Sequence, residues 1–531
     1  MTTAEENWSA EERRALAPYF TNLDGPVFAL VNLPEVVKGA LFARYSRSAK
    51  SLRRLFLDEF LEQAGEAPAA PSVGTARADR LYERVFSEYG DDSVAQLGGV
   101  HLACEGASNV LTKVLEWGRL MAYLEQSTRY VPYTDRPDGQ WKYHVPRELD
   151  GHALRSRYID TLDRAFDTYA RWIDPLRRYW SERFPKPDGE NDTAHRASIR
   201  ARALDSLRGL LPAATRSNVG IFATGQAYEA LLLRMRAHRL REVQEYAALM
   251  LVELNKVIPA FLKRLERPDR GGVWSRYLAE TREATALVAR RLLDSLEPEP
   301  RPEVTLTDFD VDGEVKVVAA ALYAVSDLPD DQLLAVARKL GADERRQVLE
   351  AYAGRRENRR HKPGRAFERT SYRFDVLGDY GAFRDLQRHR LLTLEWQTLS
   401  TRHGHVTPEE LDEAGALSDW TRVMEESAGL HDALVDAGLS EVAPYAVAMA
   451  YRVRFYMEMN AREAMHMIEL RTAPQGHPAY RRICQTMARL IAEQAGHRAL
   501  AAVMSHTDFS SGLAGRLDAE RAAERRRRTN P

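Results

Sequence analysis

Cysteine is almost absent: Cys104 and Cys484 are the only two thiols in 531 residues, and they lie far apart. A disulfide framework and a paired-thiolate metal centre are therefore excluded, and a single nucleophilic cysteine finds no support. Net charge is lacking as well. The chain has 76 Lys and Arg against 77 Asp and Glu, a formal charge of −1, which speaks against a general nucleic-acid surface. No apolar run approaches the roughly 20 residues of a membrane-spanning helix, and Met1–Ala10 is polar and acidic, unlike a signal peptide. The expectation is a soluble cytoplasmic protein with no nucleic-acid or membrane partner. Also missing are a Gly-rich dinucleotide fingerprint, a phosphate-binding Walker loop, a zincin helix and a serine-nucleophile elbow.

What is present suits a helix-rich protein. Hydrophobic residues make up 44% of the chain, enough for substantial cores, and the 29% charged residues are interspersed along it. Glu297-Pro-Glu-Pro-Arg-Pro302 blocks helix and central strand alike and reads as a linker. Shorter loops are read at Gly65–Gly74, Pro132–Gly139 and Phe184–Asp192, and the tail Glu524–Pro531 with its four arginines as a frayed end. The halves look like two copies of one plan. Ala40-Leu-Phe-Ala43 is echoed by Ala321-Leu-Tyr-Ala324. Period-2 strands are expected at Val100–Glu105 and Arg369–Val376, each running through a glycine (Gly106, Gly378) into a helix, Ser108–Gln126 or Tyr380–Thr398. The expected domains are 1–296, a linker at 297–304, 305–520 and a disordered tail at 521–531. The fold class is α+β, mostly helical, with a small antiparallel sheet packed by long helices in each half.

Three clusters could carry chemistry. Tyr445–Ala473 contains no Gly and only ends near prolines, and is read as a largely buried helix. At about 100° per residue, Asn460 and Arg471 share a face, as do Arg462 and His466. A buried guanidinium needs an anion, either an internal Glu458, Glu463 or Glu469 or a ligand's phosphate, and both readings stand. Arg388-His389-Arg390, with Arg384 a turn earlier, suits a diphosphate or is a solvated basic face. Glu125-Gln-Ser127-Thr-Arg129-Tyr130 offers a carboxylate, a hydroxyl and a guanidinium at a helix end; a Glu125–Arg129 surface pair is the plainer reading. His403-Gly-His405 has no third metal ligand at a usable spacing, so no metal is expected. Thr407-Pro-Glu-Glu410 reads as a capping box.

Together these pieces resemble the flavin-dependent thymidylate synthases. Arg388-His389-Arg390, seven residues and then Thr398 fit that family's signature. Asn460-x-Arg462 followed by Arg471 fits its second element, with Arg454 upstream and Ala366-Phe-Glu-Arg369 ahead of the triplet. In the first half, Glu125-x-Ser127-x-Arg129-Tyr130, Leu211-Pro212 with Arg236-Ala237, and Ala43-Arg-Tyr-Ser46 are similar to further family elements. The resemblance implies a tandem pair of synthase-like domains. It also implies reductive methylation of dUMP to dTMP, with FAD as cofactor and NADPH and methylenetetrahydrofolate as co-substrates. Arg471 would be the catalytic residue polarising the uracil. Glu125, Ser127, Arg129 and Arg471 would bind dUMP; Arg388, His389, Arg390, Asn460, Arg462 and His466 would hold FAD. No cysteine nucleophile is needed.

Neither half keeps every element. The first has Trp117-Gly-Arg119 where the triplet belongs and Thr224-Gly-Gln226 for Asn-x-Arg. The second has Trp396 in place of the glutamate, and Ser400-Thr-Arg402 falls two residues late. Because family sites are shared between subunits, a homodimer acting as a pseudo-tetramer is expected, with working sites built from both halves. The alternatives are a flavin-binding relative alkylating another pyrimidine nucleotide and a catalytically dead nucleotide- or flavin-binding scaffold.

Overall fold

Alternation along the chain becomes strand wherever a neighbour completes the ladder. The computed structural model describes residues 8–25, 28–45, 48, 50–61, 96–186 and 192–510. Ser46, the Gly65–Gly74 loop, part of Phe184–Asp192 and the Arg-rich tail lie outside these residues.

The first half runs β1 (Gly99–Ser108), α1 (Asn109–Leu115) and β2 (Met121–Glu125), then later β3 (Arg216–Thr224) and α2 (Gly225–Arg236). The second half opens with β4 (Val304–Phe309) and repeats the plan. Its elements are β5 (Ser371–Asp379), α3 (Tyr380–Gln387), β6 (Thr393–Trp396), β7 (Arg452–Asn460), α4 (Ala461–Arg471) and α5 (Pro478–Glu493). The sheets have orders β1-β3-β2 and β4-β5-β7-β6, so β5-β7-β6 is wired as β1-β3-β2 is. The recorded pairings β2–β3, β4–β5, β5–β7 and β6–β7 are antiparallel. A mostly helical α+β protein with a small antiparallel sheet in each half is what the sequence led us to expect.

Closeness in space divides the chain into two compact units, each built from segments that are discontinuous in sequence. One holds Met1–Glu105, Val114–Glu125 and Asn218–Leu296, and the other Gly106–Lys113, Gln126–Ser217 and Glu297–Pro531. In the second unit, Tyr372, Phe374 and Val376 of β5 and Val453, Phe455, Met457 and Met459 of β7 are buried. Each large apolar side chain contributes about 1.5–3 kcal/mol by leaving water. The opposite face carries cross-strand ion pairs, Arg373–Glu458 at 3.0 Å and Arg454–Asp375 at 2.7 Å. Helix α5 packs on β4 and β5. Gly378 lets it approach, since a Cβ there would lie 3.1 Å from Ile483. Gly106 serves otherwise, adopting φ +69°. Among the described residues, no helix is long and apolar enough to cross a membrane.

Several expected helices are corrected. Ser108–Gln126 and Tyr380–Thr398 are each a short helix followed by a strand, because β2 and β6 pair with β3 and β7. Tyr445–Ala473 is not one helix. Arg452–Asn460 bonds to strands on both sides, which overrides the helix propensity of its methionines and arginines, and helix begins only at Ala461. The segment from Glu125 to Tyr130 is accordingly a strand end and turn. At Thr407 there is no capping box: the helix starts at Glu410 without a side-chain cap, and Thr407 Oγ1 lies 3.3 Å from His405 Nδ1. Cys104 in β1 and Cys484 in α5 are buried core residues.

Candidate functional site

The second unit gathers residues from both sequence halves around Asp385. This carboxylate sits on α3, whose first turn is capped by Asp379 Oδ1 accepting from Ala382 N at 2.9 Å. Arg388, the residue that ends α3, pairs with Asp385 at i+3. Arg471, at the end of α4, lies 3.7 Å from the same carboxylate and donates through Nη2 to the Asp385 backbone carbonyl. Arg208 approaches from the first half of the sequence, 3.5 Å from Asp385 and 3.9 Å from Asp379. Burial alone would raise the Asp385 carboxyl; Arg388, Arg471, Arg208 and Arg129 together hold it well below the usual carboxylate range.

Arg129, read as part of the nucleotide clasp, is buried in the same unit. It grips Asp205 with Nε at 2.8 Å and Nη2 at 3.1 Å, and donates to Tyr480 Oη at 2.9 Å and to the Gln475 carbonyl at 3.1 Å. The Glu125–Arg129 pair is thus replaced by Arg129–Asp205. The Tyr480 ring joins the two groups, with the Arg129 and Arg471 guanidinium carbons 5.8 and 5.5 Å from its centre. Ser127 Oγ accepts from Arg129 N at 3.2 Å and shapes the turn. Glu125, buried, closes β2 in the first unit.

His389 connects this cluster to α4. Arg471 Nε–H donates to His389 Nε2 at 3.0 Å, so the imidazole proton belongs on Nδ1, 3.1 Å from Glu463. Burial, with Arg471 and Arg388 nearby, holds His389 well below its ordinary pKa and therefore neutral. Burial raises the Glu463 carboxyl. Asn460 is the N-cap of α4, its Oδ1 accepting from Glu463 N at 2.9 Å. Arg462 donates to the Pro363 carbonyl at 2.9 Å and faces Glu368 at 3.5 Å. The His466 ring centre is 5.6 Å from that of His389, and burial lowers its pKa to about 4. Arg390 is exposed just beyond.

His389, Glu463 and His466 also bring three ligand-type atoms within 4.8 Å of one another. The Arg471 hydrogen bond occupies the His389 lone pair in this tautomer, and the surrounding guanidiniums oppose a cation. The donor set does not fit a metal ion.

Motif reading missed Arg208, Asp385, Asp205 and Tyr480, whose importance lies mainly in partners far away in sequence, and Glu463, named as a partner for a buried arginine, faces His389. Arg208 is 4% exposed, and its Nη2 makes no hydrogen bond. Around Arg129, Arg208, Arg388 and Arg471 stand the carboxylates Asp205 and Asp385, plus Asp379, whose carboxyl is raised by burial. The cluster is cationic and partly unsatisfied, suited to an anion. A cleft of about 480 Å³ borders it, lined by Asp205, Gly476, His477, Arg202, Trp180 and Glu410 among others. In the first half the corresponding station is different: Trp117 of the Trp-Gly-Arg sequence packs its ring 5.0 Å from the Arg234 guanidinium carbon.

Comparison with known proteins places these features in context. The family model described as thymidylate synthase complementing protein matches residues 40–260 and 306–495, two stretches that follow the repeated plan. A UPF0159 protein of Chlamydia muridarum is 38% identical over 98% of this chain and 99% of its own length. A flavin-dependent thymidylate synthase of Clostridium tetani is 27% identical over 38% of this chain and 75% of its own. Among solved structures, a UMP/dUMP methylase of Streptomyces cacaoi bound with 5-Br dUMP matches with TM-score 0.30 and 21% identity, covering 39% of this chain and 97% of that one.

Proposed function

The chain belongs to the thymidylate synthase complementing protein family, and from that premise we propose that it is a flavin-dependent thymidylate synthase. The reaction would convert dUMP to dTMP, with methylenetetrahydrofolate as the carbon donor and NADPH as the reductant of FAD. The observation that carries this reading is the joint occurrence in one unit of Arg129 from the first half with Arg388, His389 and Arg471 from the second, around an incompletely neutralised cationic centre.

In this reading Arg471 polarises the uracil carbonyl as negative charge grows on the ring. His389 and the Asp385 carbonyl fix its guanidinium, so little reorganisation is needed; a donor held in this way contributes about 10²–10³ in rate. Glu463 sets the His389 tautomer and thereby positions Arg471. Arg129, its turn shaped by Ser127, takes the nucleotide phosphate in competition with Asp205. Arg388, Arg390 and Arg462 balance a dinucleotide diphosphate, while Asn460, the neutral His389 ring and His466 add hydrogen-bonding groups. These residues fit FAD by charge and donor chemistry. FAD, when bound, supplies the hydride that completes the methyl group. Proton transfer to a thiolate plays no part, since burial raises Cys104 to about 11 and Cys484 to about 12.

A homodimer is part of the proposal. Leu120 and Leu124, 70% and 80% exposed beside and within β2, are consistent with a surface covered in an assembly. The protein should purify with flavin absorbance, and dUMP should perturb that spectrum in wild type but not in Arg471→Ala. Colourless protein that takes up no FAD on reconstitution would eliminate the proposal.

A further inference from the structure

The helix Val273–Leu293 of the first unit lies between the two stretches that match the family model, 40–260 and 306–495. None of its residues is buried. Its half-buried side carries Ser275, Ala279, Ala286 and Ala289, small residues that fall on one face at about 100° per residue. Ser275 Oγ donates to the Leu233 carbonyl at 3.5 Å and Arg282 to the Ala237 carbonyl at 3.0 Å, which fixes that side against the end of α2. The large apolar side chains stand on a different face: Trp274 is 52% exposed, Tyr277 59%, Val288 46% and Leu292 62%. A surface helix ordinarily does the reverse and turns its bulky apolar stripe to the core.

The outward stripe has a regular spacing. Trp274, Leu278, Thr281, Thr285, Val288 and Leu292 are separated alternately by four and three residues, the repeat of two helices wound together. The threonines do not interrupt it. Thr281 Oγ1 donates to the Tyr277 carbonyl and Thr285 Oγ1 to the Thr281 carbonyl, both at 2.8 Å. Each hydroxyl is therefore satisfied within its own helix and can be covered without losing a partner. The seam is also its own complement when reversed. An antiparallel copy related by a two-fold axis at Glu283 sets Trp274 against the copy's Leu292, Leu278 against its Val288 and Thr281 against its Thr285. The same rotation brings Arg291 of the copy beside Tyr277, a cation–π pairing.

We propose that this helix is a self-association surface that pairs antiparallel with the same helix of a second copy of the chain. The seam and Tyr277 leave roughly 500 Å² per copy in water, so the pair covers roughly 1,000 Å², the size at which specific interfaces begin. The polar side mixes Glu280 and Glu283 with Arg276 and Arg290, whereas a helix built for an anionic lipid surface would be basic there. A net charge of −1 leaves no general repulsion between copies. The pairing does not depend on the reaction proposed above.

The test is disulfide trapping in the full chain. Thr281→Cys chains co-expressed with Thr285→Cys chains should form, on mild oxidation, a covalent dimer that neither variant forms alone. Cys104 and Cys484 are buried and add no background. Beside it, sedimentation equilibrium compares wild type with Trp274→Glu/Leu292→Glu. Both substituted side chains are exposed, and self-association should weaken at least about tenfold. Absence of the mixed covalent dimer would overturn the proposal, even if the glutamate variant fails to fold. Thr281→Cys linking to itself as readily as to Thr285→Cys would mean a parallel pair and overturn it too. So would unweakened self-association of a folded glutamate variant, or a wild-type chain that stays monomeric and binds anionic vesicles instead.

Discussion

Replacing Arg129 by lysine keeps the charge and removes the fork. The native guanidinium makes two hydrogen bonds to Asp205 and one each to Tyr480 Oη and the Gln475 carbonyl. The Arg129 and Asp205 side chains are only 10% and 11% exposed, so solvent screening is small. One ammonium reproduces the ion pair at best and forfeits a charge-assisted bond to Asp205 and two bonds to neutral acceptors. At about 1.5–3 kcal/mol for the first and about 1 kcal/mol for each of the others, Arg129→Lys should destabilise the second unit by about 3–5 kcal/mol. Urea unfolding followed by tryptophan fluorescence reads this directly, and adding Tyr480→Phe should cost less in the lysine background than in wild type. Stability within about 0.5 kcal/mol of wild type would refute the reasoning. Because Asp205 and a phosphate compete for one guanidinium, Asp205→Asn should lower stability while strengthening nucleotide binding.

Three further outcomes follow from packing and titration. Gly381→Ala would place a Cβ 3.0 Å from Asp379 Oδ1 and 3.1 Å from the Arg208 guanidinium, so it should cost about 1–3 kcal/mol in urea unfolding; an unchanged midpoint would contradict the packing. His389, His466 and His477 have folded pKa values depressed by burial, so their contribution is complete above about 6.5, the unfolded value, and is lost as pH falls toward the folded values. Unfolding near pH 5.5 should therefore take up protons, and His466→Gln should flatten the decline in stability between about pH 7 and pH 5. Neither cysteine should react with a thiol reagent at about pH 8 until the protein unfolds, since burial raises both thiols.

The legible parts of this sequence were local. Alternation in Val100–Glu105 and Arg369–Val376 marked β1 and β5, because one buried face imposes a period of two. Arg452–Asn460 alternates just as clearly, yet its Met and Arg content and its position next to a true helix favoured reading one long helix. Only the ladders from β5 and β6 decide the matter. The same long-range pairing broke Tyr380–Thr398 at Arg388. Motif spacing found Arg129, Arg388, His389 and Arg471, since those side chains sit at fixed points on short elements. It did not find Asp205 or Arg208, whose partners lie tens to hundreds of residues away, nor Asp385, which joins the nearby Arg388 to the distant Arg208 and Arg471. No spacing rule links Arg129 with Tyr480, and only the folded unit brings them to 2.9 Å.

The sharpest experiment is tritium release from C5-labelled dUMP by the purified protein supplied with FAD, NADPH and methylenetetrahydrofolate. Release should require all three, and should fall steeply in Arg471→Ala and in Arg129→Gln, one substitution from each half. Flavin-loaded wild type that releases no tritium from dUMP, or full activity retained in Arg471→Ala, would contradict a thymidylate synthase site built from both halves.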